Sequence, residues 1–433
     1  MPSDQEVRAK QELLESLLKE YKIQFVRSSN DNALASLYSE FEFIKRIEQV
    51  EFESYIESNN ETDPAILKNN LHRARNLLRD VDRCAQFEAN EEQWRREVEN
   101  GLFGILRRPM ICSMCDKRLW RAGIEFPIDV NLENDAFIKN LQKRRGKRAI
   151  CCCHVPRFQS EPPAPAHIFD FKVSKMVQYE PNLRKRVVKG KHPDLILGLT
   201  NNIKFEKILD APLDIQGKID DNETVGSVLK TDLFASTSGM IFPFLVLEAK
   251  QGRTPESQRD IERQMALPAY EMLRMQTCLL ERSTLVDPSN RLPRVWLISS
   301  KAEIWKVYIG TAVLGEGQGY VYKIHHMWTG DISTATGALR LILLLDGILD
   351  WARDIYRMSV FDHLSSMASR HDSDNPLNRL TMTPVSEVFG RLSRGAPIAP
   401  SLPATTPFSE TREYVLECLK KALEGTEGRI TYQ

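Results

Sequence analysis

FPFLVLEAKQ, residues 242–251, carries an apolar run straight into a glutamate, an alanine and a lysine. A buried strand usually ends in turn residues, and this one ends in two opposite charges. On a strand, side chains alternate between faces, so residues two apart point the same way. Glu248 and Lys250 therefore share a face, with Phe244 and Val246 deeper along it. A carboxylate and an ammonium fixed at one rigid strand end can hold a divalent ion and a polarised water side by side. A second carboxylate would complete such a site.

KHPDLILGL, residues 191–199, offers one. Asp194 follows Pro193 at the start of another apolar strand. If the two strands are neighbours, Asp194 and Glu248 converge at one edge. Two close carboxylates repel unless a cation neutralises them, so the pair with Lys250 implies Mg²⁺ or a similar hard ion.

The surrounding sequence reads as α/β. Strand-like stretches are HIFDFKVSKMV (167–177), DLILGL (194–199), RVWLISS (294–300), EIWKVYIG (303–310) and YVYKIHHMW (320–328). Residues 256–282 and 336–358 read as helices, and the polar stretch 200–241 as loop. Residues 5–26, 32–58 and 64–86 have helical periodicity. They define an all-helical N-terminal region, 1–86, with a structural or protein-partner role. A further helix spans 89–103, with Trp94, Val98 and Leu102 on its apolar stripe. The domain that follows is assigned to 87–365. The tail, 366–433, is rich in Pro, Ser and Thr and reads as flexible, closed by an amphipathic helix at 409–424.

The chain has 433 residues, 42% of them hydrophobic, enough for a large core. Lys and Arg total 59, as do Asp and Glu, so net charge does not announce a nucleic-acid partner and local patches must carry that reading. Two exist: KNLQKRRGKR (139–148) and LRKRVVKGKH (183–192), the second leading directly into Pro193-Asp194. Each suits a phosphate backbone or, equally, a solvated loop or nuclear import signal. No apolar segment follows a basic start, and the run Leu341–Leu345 is broken by Asp346, so neither a signal peptide nor a membrane span is expected. An intracellular location, nuclear or cytoplasmic, follows, with reduced cysteines.

Five of the eight cysteines fall in 107–160, read as a Cys-rich insert. Cys112 and Cys115 form a C-x2-C knuckle, and Cys151 with His154 repeats its spacing, giving a candidate tetrahedral Zn²⁺ set in which Cys153 can replace either downstream ligand. Reduced cysteines in a small core are the alternative. Cys84 and Cys278 sit in helical patterns and read as core.

Pro193, Asp194, Glu248 and Lys250 together resemble the signature of the PD-(D/E)XK nuclease superfamily. NEEQW (90–94) looks like the first core helix of its fungal branch, with Glu91 matching a glutamate found there. FDFKVSKMVQY (169–179) looks like the first core strand. QRDIERQMALPAYEML resembles the helix after the third strand, where Gln264, or else Gln258, would face the site. The resemblance covers about 90–360. It implies a restriction-endonuclease-like core: a mixed sheet flanked by helices, interrupted by the Cys-rich insert. It further implies Mg²⁺- or Mn²⁺-dependent hydrolysis of nucleic acid, DNA first. Asp194 and Glu248 would bind the metal, Lys250 would serve the water and phosphate, and Glu91 and Gln264 would support them. A nuclease fold without activity, acting as an adaptor, is the alternative.

Overall fold

The computed structural model describes residues 4–26, 37–57, 64–104, 122–127, 168–186, 192–215, 218–234, 239–250, 256–285, 293–315 and 319–368, with isolated positions 139, 141, 142, 145 and 252. The chain opens with α1 (Asp4–Glu20), β1 (Ile23–Val26), α2 (Tyr38–Glu48) and α3 (Pro64–Gln86). A helical segment follows as α4 (Glu91–Trp94), a π-helical turn (Arg95–Glu99) and α5 (Asn100–Phe103). Then come β2 (Phe169–Val173), α6 (Pro181–Arg186), β3 (Leu195–Thr200), α7 (Ile203–Leu209), β4 (Pro212–Ile215), β5 (Lys218–Thr224) and β6 (Met240–Lys250). The remainder is α8 (Gln258–Arg282), β7 (Arg294–Lys301), β8 (Ile304–Gly315), β9 (Gly319–Asp331), α9 (Ala335–Trp351), a second π turn (Ala352–Tyr356) and α10 (Arg357–Met367).

The fold is mixed α/β. Seven strands form one sheet in the order β1-β9-β8-β7-β6-β3-β2. β1 with β9 and β6 with β7 are parallel, and the other neighbours are antiparallel. β6 lies inside this sheet and is buried at every residue from Met240 to Ala249. That burial on both faces is why its sequence is a continuous apolar run with no alternation. Pro243 lacks a donor for the ladder, and the β3–β6 register shifts there, between Leu197 and Leu199. Phe242 takes a positive φ of 44° at this bulge, and a Cβ on Gly198 would meet the Met240 side chain at 2.6 Å and the Pro243 backbone at 3.0 Å, so the glycine opposite suits the close approach. β6 is then regular through Glu248 and Lys250.

α8 begins at a capping box: Ser257 accepts from the Asp260 N–H, and the Asp260 side chain accepts from the Ser257 N–H. It packs on β6, β7 and β8. The nearly all-apolar α9 packs against α3, where Arg73 grips the fully buried Asp346 with two hydrogen bonds of 2.6 and 2.9 Å.

The N-terminal helices are part of the same core. Leu17, Phe43, Ile47, Leu67, Leu71 and Val81 are buried in one cluster with the sheet. The apolar stripe that the periodicity offered to a protein partner is thus taken up by the chain itself. Residues 23–26, expected as the end of a helix, instead form β1, because a chain leaving α1 through Lys22 (φ 53°) pairs with β9. The stretch 200–241, expected as loop, contains α7 and the β4–β5 hairpin. Asn202 caps α7 by accepting from the N–H groups of Lys204 and Phe205, and Phe205, Ile208 and Leu209 bury its inner face.

Cys112, Cys115, Cys151, Cys153 and His154 lie outside the described residues, as do most of the insert and the tail with its terminal helix. Cys84 is buried and Cys278 half-buried, as expected of core cysteines. No helix among the described residues is long and apolar enough to cross a membrane.

Candidate active site

Asp194 immediately precedes β3, and Glu248, Ala249 and Lys250 end β6, its antiparallel neighbour. Leu195 pairs with Leu247, so the two motif segments meet at one end of the sheet. The Ala249 N–H donates to Asp194 Oδ2 at 2.7 Å, which fixes the carboxylate against the end of β6. Lys250 Nζ lies 2.7 Å from Glu248 Oε1 and 3.9 Å from Asp194 Oδ2. The shared face expected from the two-residue period is therefore present, and one ammonium contacts both carboxylates.

The helical segment after α3 supplies the other wall. Asn90 caps α4 by accepting from the Gln93 N–H, leaving Glu91 in the first turn. Glu91 Oε1 is 4.0 Å from Lys250 Nζ and accepts from Arg95 Nη2 at 2.5 Å. The same Arg95 nitrogen donates to Asp194 Oδ1. Glu91 thus joins the cluster, as its place in NEEQW suggested. Gln264 donates instead to Glu256 Oε1 at 3.2 Å. Gln258 donates to Ser299 Oγ at 2.6 Å, and Ser299 is the β7 neighbour of Glu248. Of the two glutamines, Gln258 stands one strand from the motif.

Two site residues were not anticipated: Arg95 and Glu99, which bound the π turn. π turns are uncommon in helices and recur at functional sites. Glu99 is buried, and its Oε1 has no hydrogen-bond partner among the described residues. Burial, then the charge of Asp194, pushes the Glu99 carboxyl up to about 8. The signal was present in the sequence: Glu91, Arg95 and Glu99 recur at four-residue intervals, beside the apolar stripe.

Burial dominates the electrostatics here. Asp194 and Glu248 are each 5% exposed. Burial holds the Asp194 carboxyl above its usual range, against the pull of Lys250, the Ala249 N–H and Arg95. Burial alone would lower the Lys250 ammonium's pKa, but Glu248, then Asp194, outweigh it and raise it, so Lys250 is a cation at neutral pH. Tyr179 is also drawn into this field: burial, followed by Glu271 and Glu248, raises its phenol.

Four acidic side chains, Glu91, Glu99, Asp194 and Glu248, thus face two cations, Arg95 and Lys250, with Glu99 holding its proton near neutral pH. Their donors are hard oxygens of the kind Mg²⁺ and Mn²⁺ take, and the unpartnered Glu99 oxygen is spare donor capacity. Among the described residues no three acidic, His or Cys side chains are already arranged as a metal cage, and Arg95 and Lys250 sit against the oxygens. The donor chemistry fits a divalent ion; the positions nearest the oxygens are held by the two cations.

The β2–β3 connection carries exposed basic residues. The Ser174 N–H donates to the Asp194 carbonyl at 3.2 Å, placing the end of β2 against the site. Lys175, Arg184 and Lys185 follow and are exposed, whereas Arg186 pairs with Glu20. Residues 187–191 of this stretch lie outside the described residues. In the other basic stretch, Arg145 is structural: it donates to Asp350 Oδ2 at 3.0 Å and to the Phe126 carbonyl at 2.7 Å.

Compared with known proteins, the chain matches no family model, no curated protein and no solved structure.

Proposed function

We propose that this chain is a nuclease-like protein of the PD-(D/E)XK type that hydrolyses nucleic-acid phosphodiesters, DNA foremost, with Mg²⁺ or Mn²⁺. The observation that carries the reading is the convergence of Asp194, Glu248 and Lys250 at neighbouring strand ends, locked by the Ala249 N–H bond to Asp194. The seven-stranded mixed sheet flanked by helices accords with a restriction-endonuclease-like core.

Asp194 and Glu248 are the residues that would hold the ion, with Glu91 and Glu99 in the same field. A bound divalent ion would supply charge neutralisation at the phosphate and a more acidic water. Lys250, held as an ammonium by Glu248 and Asp194, orients a water and stabilises negative charge developing on the phosphate oxygens. Hydrolysis joins the water oxygen to phosphorus and breaks one P–O ester bond; the water gives up a proton, the leaving oxygen takes one up, and the products are a phosphate monoester and a hydroxyl. Exposed Lys175, Arg184 and Lys185 suit the backbone of an incoming strand with little sequence preference.

A second reading, an inactive adaptor on the same fold, is favoured by one observation: Asp194 and Glu248 are nearly covered and already neutralised by Arg95 and Lys250. The double variant Glu248→Ala/Lys250→Ala separates the two. A nuclease loses Mg²⁺-dependent cleavage of DNA in that variant, and a protein that never cuts with either metal is the adaptor.

A further inference from the structure

Arg95 and Arg73 hold buried aspartates in different ways. Arg73 presents two nitrogens to two oxygens of Asp346, the fork geometry of a permanent pair. Arg95 uses the single nitrogen Nη2 for both Asp194 and Glu91, and its Nε is buried without a hydrogen-bond partner among the described residues. The Arg95 side chain is 31% exposed, so it has a path outward, whereas the Asp194 side chain is 5% exposed and is fixed by the Ala249 N–H. Arg95 also opens the π turn, a backbone irregularity that places its head between two carboxylates. Beyond it lies Glu99, 9% exposed, with Oε1 unpartnered. With Glu99 holding its proton near neutral pH, three carboxylates, Glu91, Asp194 and Glu248, face two monovalent cations, and a divalent ion in the place of the Arg95 head would offset the one negative charge left over.

We propose that Arg95 is a built-in counter-ion: it holds Asp194 and Glu91 in position while no divalent ion is bound, and releases Asp194 to that ion when it binds. The proposal rests on the metal-dependent reading above. Arg95 is then a positioning residue whose charge competes with the metal. It keeps the metal-free site from collapsing under carboxylate repulsion, at the expense of metal affinity.

Mn²⁺ binding, measured by titration calorimetry on the full chain, tests it. Arg95→Gln binds Mn²⁺ about tenfold tighter than wild type or more, the order expected from removing one unit charge beside the ion. Arg95→Lys, which keeps the charge, stays close to wild type, and Asp194→Asn loses binding. Metal-free Arg95→Gln melts below wild type and gains more from Mn²⁺. Wild-type binding with no tightening in Arg95→Gln overturns the counter-ion role and leaves the metal-dependent reading standing. No binding by either protein overturns both. A wild-type crystal structure with Mg²⁺ bound is independent of any variant's folding: Arg95 withdrawn from Asp194 supports the proposal, and Arg95 still bonded to it overturns it.

Discussion

Asp194 Oδ2 accepts the Ala249 N–H at 2.7 Å, so a carboxylate at the entry to β3 is bonded to the backbone residue between Glu248 and Lys250 on β6. That bond joins the two halves of the motif. Removing the acceptor leaves a buried N–H unpaired and Arg95 without its aspartate. Asp194→Ala should lose about 1–3 kcal/mol of unfolding free energy, while Asp194→Asn, which keeps an acceptor, should lose less. Urea unfolding of both variants measures the difference. Cleavage should be lost in both.

Glu99 gives the site a pH signature. Its carboxyl titrates near 8 in the folded protein against an ordinary value of 4.5. Between these values the unfolded chain has released a proton that the folded chain retains, so the unfolded state binds fewer protons and stability falls as pH rises. This group's contribution is fully present below about 4.5 and is lost by about 8. Glu99→Gln, a neutral isostere, should be less sensitive across that window. Urea unfolding at pH 5 and pH 8 checks it; an equal change in both proteins would contradict the assignment.

Asp346 tests the interior. It is fully buried, and Arg73 is its partner. Asp346→Ala strands the guanidinium in the α3–α9 interface and should cost about 3–5 kcal/mol. Replacing both partners, Arg73→Met with Asp346→Leu, should recover much of that loss. Denaturant midpoints of the single and double variants decide it.

Gly347 tests whether the N-terminal helices are integral to the fold. A Cβ there would lie 1.9 Å from Phe43 Cζ, so α2 packs directly on the glycine of α9. Gly347→Ala should force the ring aside and destabilise the whole domain by about 1–3 kcal/mol in one cooperative transition. An unchanged melting temperature would contradict that packing.

Much of this arrangement was legible in the sequence, for identifiable reasons. Glu248 and Lys250 could be paired because the two-residue period is a property of any strand, and the apolar run marked a buried one. Asp194 was legible as the Pro-Asp entry to the next such run. Its pairing with Glu248 was less so, because 53 residues intervene. α7 and the β4–β5 hairpin absorb that length, and their cap and apolar triplet sit in a stretch whose polarity reads as loop. β1 was missed because four residues next to a strong helical period carry too little alternation, and parallel pairing with β9 decides them. Arg95 and Glu99 are less legible because Trp94, Val98 and Leu102 set the helical period of this segment and the charged row beside them has the pattern of a solvated face. The site role of that row depends on a π turn, which residue spacing does not announce.

The most direct measurement is cleavage of supercoiled plasmid and single-stranded DNA by the purified full-length chain, with Mg²⁺ or Mn²⁺ and with the metal chelated. The expected result is cleavage that needs the metal and vanishes in Lys250→Ala and in Asp194→Asn while both variants stay folded. Cutting that persists in these variants, or no cutting by the wild type with either metal, would contradict the nuclease assignment.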